Sequence, residues 1–215
     1  MIHGVLRALR LVAPPRRGRQ PARVLVFGDS NSARPHGGGG RWTDLLQRRL
    51  SHRVAMINEG LDGRTTAFDS VELNGVETLP RVLAAHAPVD WLLLMLGTND
   101  HKRGYGPPAP EDIVRGVDRL VYLGRAIAPD SHIMLITPPP MGRVRSPEFG
   151  DVHPGLAKTV AEMKRLAGER RLPCVDLFSA LSASRHLERD GVHLNQKGRK
   201  AVAGAVRRVL VRELG

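Results

Sequence analysis

The 215-residue sequence has one cysteine, few aromatic residues and no long apolar run. A single cysteine, Cys174, excludes an intrachain disulfide, and nothing near it favours a nucleophilic role. Aromatic residues make up 4% of the chain, so Leu, Val and Ala must fill the core. No segment approaches the roughly 18 apolar residues of a transmembrane helix. These absences favour a globular protein with an aliphatic core.

Positive charge is concentrated at the two ends of the chain, whose net charge is +12. Residues 1–23 contain six arginines and no acid, and residues 151–215 contain 13 basic and seven acidic residues. A basic binding module for nucleic acid or a membrane surface is therefore one hypothesis. No aromatic residues are interleaved for base stacking, so a solvated arginine-rich surface is the preferred interpretation and no nucleic-acid partner is expected.

The N-terminal segment does not look like part of the folded domain. Arg7 and Arg10 interrupt its apolar residues, so no secretory signal is predicted and a cytoplasmic location is expected. Proline and arginine dominate residues 14–21. We predict that residues 1–21 form a loosely ordered basic extension and that residues 22–215 form one domain. A homo-oligomer is compatible with this sequence.

Short apolar runs alternate with amphipathic segments, which predicts a parallel sheet covered by helices. The uninterrupted apolar run at 91–96 is typical of a central strand that is buried on both faces. The predicted strands are residues 24–27, 54–57, 91–96, 133–136 and 174–177, and the predicted helices are residues 41–50, 75–86, 110–127, 154–170 and a last helix after Asn195. The pattern predicts an α/β fold.

Polar or glycine-containing loops follow the predicted strands at Ser30, Gly60 and Asn99, and a later loop carries Asp190 and His193. Because parallel strands end at the same edge of a sheet, these loops can meet there. Taken singly, each has a plainer interpretation as a turn or a helix cap. Their convergence is what indicates a functional site.

These residue types suit ester cleavage. A serine hydroxyl such as that of Ser30 needs a base to take its proton, and a histidine such as His193 is the usual one. Asp190 can orient the imidazole through its other nitrogen. The oxyanion of a tetrahedral intermediate needs hydrogen-bond donors, for which the Ser30 amide, the Gly60 amide and the Asn99 side chain are suitable.

The chain resembles the SGNH hydrolases of the GDSL esterase/lipase superfamily. The matching blocks are Gly28-Asp29-Ser30, Gly60, Gly97-Thr98-Asn99-Asp100 and Asp190-Gly191-Val192-His193. The resemblance implies a flavodoxin-like three-layer α/β/α sandwich with a five-stranded parallel sheet. It also implies a serine mechanism without a metal or cofactor, and an oxyanion hole from Ser30, Gly60 and Asn99. The Gly-x-Ser-x-Gly motif of α/β-hydrolases is absent, because Ser32 takes the place of its second glycine.

Within the superfamily, the sequence around Trp42 and at 59–66 is similar to the arylesterase/acyltransferase branch. That branch hydrolyses short acyl esters, and some members transfer the acyl group to alcohols. The resemblance predicts a serine esterase for small acetyl-type esters, with a carbohydrate O-deacetylase as the alternative. Candidate substrate-binding residues are Trp42, Asp62 and Arg64 in these blocks, Asn31 after the serine, and Pro139 in the loop after the fourth predicted strand.

Overall fold

The computed structural model describes residues 20–33, 39–102, 104, 108–143, 148–149 and 153–215. The predicted N-terminal extension lies outside these residues except for Gln20 and Pro21. The strands are β1 (Ala22–Gly28), β2 (Val54–Gly60), β3 (Trp91–Met95), β4 (His132–Ile136) and β5 (Cys174–Val175). The helices are α1 (Ser30–Ala33), α2 (Trp42–Arg49), α3 (Gly75–His86), α4 (Pro110–Ile127), α5 (His153–Arg170), α6 (Leu177–Ala180), α7 (Ala183–His186) and α8 (Gln196–Glu213), with a 3₁₀ turn at Asn99–His101.

The five strands form a parallel sheet in the order β2-β1-β3-β4-β5. This order confirms the predicted flavodoxin-like α/β fold. The chain leaves β1 toward β2 on one side and later returns to place β3 on the other side. The carboxyl ends of β1 and β3 therefore border the switch point at which ligands bind in such sheets.

Alternating residues of the sheet face two separate hydrophobic layers. Val24, Val26 and Leu93 pack with α2 and α8, whereas Leu25 and Leu92 pack with α3, α4 and α5. Both sets are buried, as expected for a sheet that is covered on both faces. A ligand can therefore reach the sheet at the ends of its strands, but not at its two faces.

The structure differs from the predictions in the bounds of strands and in three short helices. The strand β2 extends to Gly60, which pairs with Gly28, because it is an edge strand that tolerates the polar residues Asn58 and Glu59. The strand β5 has only two residues, because Asp176 caps α6 with a hydrogen bond from the Ser179 amide. The short helices α1, α6 and α7 were not predicted, since four residues give no measurable helical periodicity.

Candidate active site

The turn after β1 holds the predicted nucleophile in a buried, hydrogen-bonded position. Ser30 is the first residue of α1 and is 7% exposed. The carboxylate of Asp29 accepts a hydrogen bond from the Asn31 amide at 2.9 Å. Gly28 is needed here, because a Cβ at this position would lie 2.6 Å from Ser32 Oγ. The close approach of β1 and α1 explains the glycine before the serine turn.

The loop between α7 and α8 places a histidine against this serine. His193 Nε2 lies 3.1 Å from Ser30 Oγ, and His193 Nδ1 lies 2.6 Å from Asp190 Oδ2. A carboxylate can only accept, so Nδ1 carries the proton and Nε2 is free to accept the serine proton. The predicted Ser30, His193 and Asp190 are thus joined in one hydrogen-bonded chain.

Asp190 is held as a carboxylate by its own loop. Its Oδ1 accepts hydrogen bonds from the Val192 amide at 2.8 Å and the His193 amide at 3.0 Å. Burial alone would raise the pKa of Asp190, but these bonds and the His193 ring outweigh it and hold the pKa below its usual value. The anion is therefore the stable form beside the imidazole.

Two of the three predicted oxyanion donors have an N–H without an acceptor among the described residues. The Ser30 amide has no acceptor within the described part of the chain. The side-chain amide of Asn99 donates one Nδ2 hydrogen to the Arg64 carbonyl at 3.1 Å, which leaves the second Nδ2 hydrogen for a ligand. Gly60 differs from the prediction, because its amide already donates to Asn58 Oδ1 at 2.9 Å.

Gly60 has a packing role. A Cβ on Gly60 would lie 2.4 Å from the Ala33 amide nitrogen, so the glycine allows α1 to rest on β2. Sequence reasoning took this glycine as a donor because it stands in a polar block after a predicted strand. In the structure it is the last residue of that strand.

Gly63 offers the free amide that Gly60 lacks. Residues 61–64 form a tight turn closed by a bond from the Arg64 amide to the Leu61 carbonyl at 3.1 Å. Gly63 has φ +82°, which favours glycine at the third position of such a turn. Its N–H has no acceptor among the residues that are described. The adjacent Asp62-Gly63 pair was a turn signal that could have pointed to it.

Three of the five predicted substrate-binding side chains are buried and bound to protein. Trp42 is fully buried and donates from Nε1 to Ser32 Oγ at 3.3 Å. Arg64 is 3% exposed, donates to the carbonyls of Gly28 and Glu59, and lies 4.0 Å from the Phe27 ring centroid. Asn31 is 5% exposed and bonds to the histidine loop. Each of the three side chains thus has partners within the protein, and a role in substrate binding stays a prediction.

The two other candidates differ in accessibility. Pro139 is also buried, and its role in substrate binding stays a prediction. Asp62 stays partly exposed on the turn 61–64, so its role remains a prediction. Four consecutive glycines at 37–40 predict a mobile loop over residues 33–40, of which 34–38 lie outside the described residues.

Two more carboxyl groups are buried under the site. Burial raises the pKa of Asp29 to about 6 and that of Asp100 to about 6. Asp100 Oδ1 accepts from the Thr66 amide at 2.9 Å and from Thr66 Oγ1 at 2.6 Å. Asn99 and Asp100 therefore both bind the segment 64–66, which fixes the turn of Gly63 beside Asn99.

No other described cluster suggests a competing chemistry. The described residues contain no group of three His, Cys, Asp or Glu side chains that could hold a metal ion. Burial raises the pKa of the Cys174 thiol to about 11, which makes it a poor nucleophile. The only serine bonded to a histidine–aspartate pair within the described ranges is Ser30.

A serine, a histidine and an aspartate bonded in this order at the carboxyl edge of an α/β sheet define a serine hydrolase. A family model described as the GDSL-like lipase/acylhydrolase family matches residues 26–201. The chain belongs to this family and is a carboxylic ester hydrolase of the SGNH type, as its sequence blocks predicted. None of the described helices is long and apolar enough to cross a membrane.

Relatives with named activities cover most of the chain. Thioesterase 1/protease 1/lysophospholipase L1 of Escherichia coli (strain K12) is 26% identical over 183 residues, which are 84% of this chain and 79% of the relative. The native aryl esterase of M. smegmatis is 30% identical, with a TM-score of 0.78 over 90% of this chain and 100% of that chain. Est24, a carbohydrate acetylesterase from Sinorhizobium meliloti, is 27% identical, with a TM-score of 0.79 over 89% and 99%.

Proposed function

We propose that this protein hydrolyses small esters of short acyl groups through an acyl-enzyme on Ser30. The observation that carries the proposal is the hydrogen-bonded chain from Ser30 Oγ through His193 to Asp190. The similarity to an aryl esterase and to a carbohydrate acetylesterase supports small esters as the substrate class. No cofactor is needed, since side chains supply the nucleophile and the base, and backbone amides together with one side chain supply the oxyanion donors.

In the first half-reaction, Ser30 Oγ attacks the ester carbonyl while His193 Nε2 takes its proton. The carbonyl oxygen becomes an oxyanion, for which we assign the amides of Ser30 and Gly63 and the free hydrogen of Asn99 Nδ2 as donors. Asp190 stabilises the imidazolium. Collapse of the intermediate breaks the ester bond, and the leaving alcohol takes the proton from His193.

In the second half-reaction, water attacks the acyl-enzyme and gives a proton to His193. Collapse releases the carboxylic acid, and the proton returns to Ser30 Oγ. An alcohol in place of water would yield a new ester, which is how acyl transfer would compete with hydrolysis.

The first test compares hydrolysis of p-nitrophenyl acetate, butyrate and octanoate by wild type and Ser30→Ala. We expect activity that falls with chain length and a loss of at least about 10⁴-fold in kcat in the variant. Ser32→Ala is the matched control, because Ser32 lies in the same short helix and bonds to Trp42 instead of His193. Equal activity of Ser30→Ala and wild type would overturn the proposal.

A carbohydrate O-deacetylase is the second candidate, favoured by the similarity to Est24. It uses the same chemistry, so Ser30→Ala cannot separate the two. Measurement of acetate release from acetylated oligosaccharides can separate the two candidates. A kcat/KM for acetylated oligosaccharides at least tenfold above that for aryl acetates would favour the deacetylase.

A further inference from the structure

The side chain of Asn31 connects the serine turn to the backbone on both sides of His193. Its Oδ1 accepts from the Leu194 amide at 2.9 Å, and its Nδ2 donates to the Val192 carbonyl at 3.5 Å. Asn31 is itself fixed, because its backbone N–H donates to the carboxylate of Asp29. We call these two side-chain contacts the Asn31 bridge.

The remaining described bonds of the histidine loop lead elsewhere. Asp190 bonds within the loop, so it moves with His193 and does not fix the loop to the serine. Gly142 donates to Gly191 from the segment after β4, and Arg199 of α8 donates to the Leu194 carbonyl. Besides the serine–histidine contact and the attraction between Asp29 and His193, the Asn31 bridge joins the loop to the serine turn by hydrogen bonds.

The serine–histidine distance has little tolerance. At 3.1 Å it lies close to the upper end of the range of about 2.6–3.2 Å that proton transfer needs. A misplacement of about 1 Å can cost about 10²-fold in rate. A residue that holds the backbone beside His193 can therefore control kcat without touching the substrate.

We propose that Asn31 is a positioning residue, which keeps His193 Nε2 within reach of Ser30 Oγ. This role rests on the proposed function. It is an alternative to the predicted role in substrate binding, because both polar atoms of the Asn31 side chain bind the histidine loop. The shorter contact, from the Leu194 amide, carries most of the effect, because hydrogen bonds weaken at 3.5 Å.

The chain offers a matched control for this test. Gln47 of α2 forms the same kind of bridge at the amino end of β2: its Oε1 accepts from the Met56 amide at 2.7 Å, and its Nε2 donates to the Val54 carbonyl at 3.0 Å. Both side chains are amides, and both bind two residues that are two positions apart. Gln47 lies at the opposite end of the sheet from the catalytic loop.

We expect Asn31→Leu to lower kcat for p-nitrophenyl acetate about 10–100-fold, with KM changed less than about twofold. Gln47→Leu should keep kcat within about twofold of wild type, although it loses stability. A rise in KM at unchanged kcat would overturn the proposal in favour of substrate binding. Equal losses of kcat in both variants would overturn it in favour of a general effect on stability.

A double variant tests whether Asn31 acts through His193. In His193→Ala there is no imidazole left to position, so adding Asn31→Leu should change the residual hydrolysis less than about twofold. A further tenfold loss in the double variant would show that Asn31 acts by another route and would overturn the proposal.

Hydrogen exchange of the Leu194 amide separates the bridge from the reaction. We expect slow exchange in wild type and at least tenfold faster exchange in Asn31→Leu. Faster exchange with unchanged kcat would overturn the positioning role and leave the proposed function intact. A wild type without serine-dependent hydrolysis would overturn the proposed function first, and the positioning role with it.

Discussion

Polar side chains are used differently at the carboxyl edge of β1–β3 and on the outer surface of α4 and α5. At the edge, Asp100 and Arg64 are almost fully buried and bind backbone or hydroxyl groups of nearby loops. On the helices, Arg170 pairs with Asp118 at 2.7 Å and Arg165 with Glu162 at 2.8 Å, and these side chains are 34–58% exposed.

This contrast indicates where in the fold a change of a polar residue is costly. A buried polar group that loses its partner costs about 1–3 kcal/mol, whereas an exposed ion pair contributes about 0–1 kcal/mol. At the edge, polar groups fix three loops around Ser30. On the helix surface they provide solubility and weak pairing, so we expect this surface to tolerate changes that the edge does not.

Substitutions at the carboxyl edge should have their largest effect on the catalytic rate. Asn99→Ala should lower kcat for p-nitrophenyl acetate about 10²–10³-fold, because it removes an oxyanion donor. KM should change little, since the donor acts on the charge that develops in the transition state. Steady-state kinetics measure both constants.

Asn74→Ala is the control for this prediction. Asn74 caps α3 by accepting a bond from the Glu77 amide at 3.3 Å, and its loss costs stability of about 1 kcal/mol without removing a donor from the site. A fall in kcat of the same size in both variants would remove Asn99 from the proposed oxyanion hole.

The second prediction concerns the buried carboxyl of Asp100. Its folded-state pKa of about 6 exceeds the ordinary aspartate pKa of 3.8, so the folded protein holds this proton more tightly than the unfolded chain. The free energy of unfolding should therefore fall as pH rises from about 4 to about 6, by roughly 2–3 kcal/mol for this group. Asp29 adds a fall of the same sign.

Asp100→Asn should flatten this fall, since the amide does not titrate and its oxygen can still accept from Thr66. Urea unfolding between about pH 4 and pH 7 measures the slope. Asp118→Asn, which removes an exposed carboxylate of the Arg170 pair, is the control for the loss of a carboxylate and should lower the free energy of unfolding by at most about 1 kcal/mol. An Asp100→Asn curve that is parallel to wild type would contradict the raised pKa.

The sequence was sufficient to predict the order of the elements and the meeting of distant loops. Each strand shows a short apolar run, and parallel strands must end at one edge, so Ser30, Asn99 and His193 could be brought together without coordinates. The local spacing of Asp190 and His193 was enough to predict that they share a loop. These features depend on periodicity and topology.

The sequence could not show which partner each N–H group or side chain binds, or whether it is buried. Gly60 and Gly63 stand in one block, and only the bond from the Gly60 amide to Asn58 shows which glycine keeps a free N–H. The prediction that Arg64 and Trp42 bind substrate rests on the blocks that resemble the arylesterase/acyltransferase branch. Both are buried because they bind a strand-end carbonyl and a helix hydroxyl, which no residue pattern reveals.

The smallest expected effect compares one glycine from each region. Gly60→Ala should lower the free energy of unfolding by about 1–3 kcal/mol, because the new methyl group collides with the backbone of α1. Gly168 lies on the exposed side of α5, where an added methyl group would have nothing within 4 Å. Gly168→Ala should raise stability by about 0.5–1 kcal/mol, since alanine favours the helix. Urea unfolding of the two variants decides whether the edge is as tightly packed as proposed: if Gly60→Ala were as stable as wild type, α1 would have room to move and the serine turn would not be rigid.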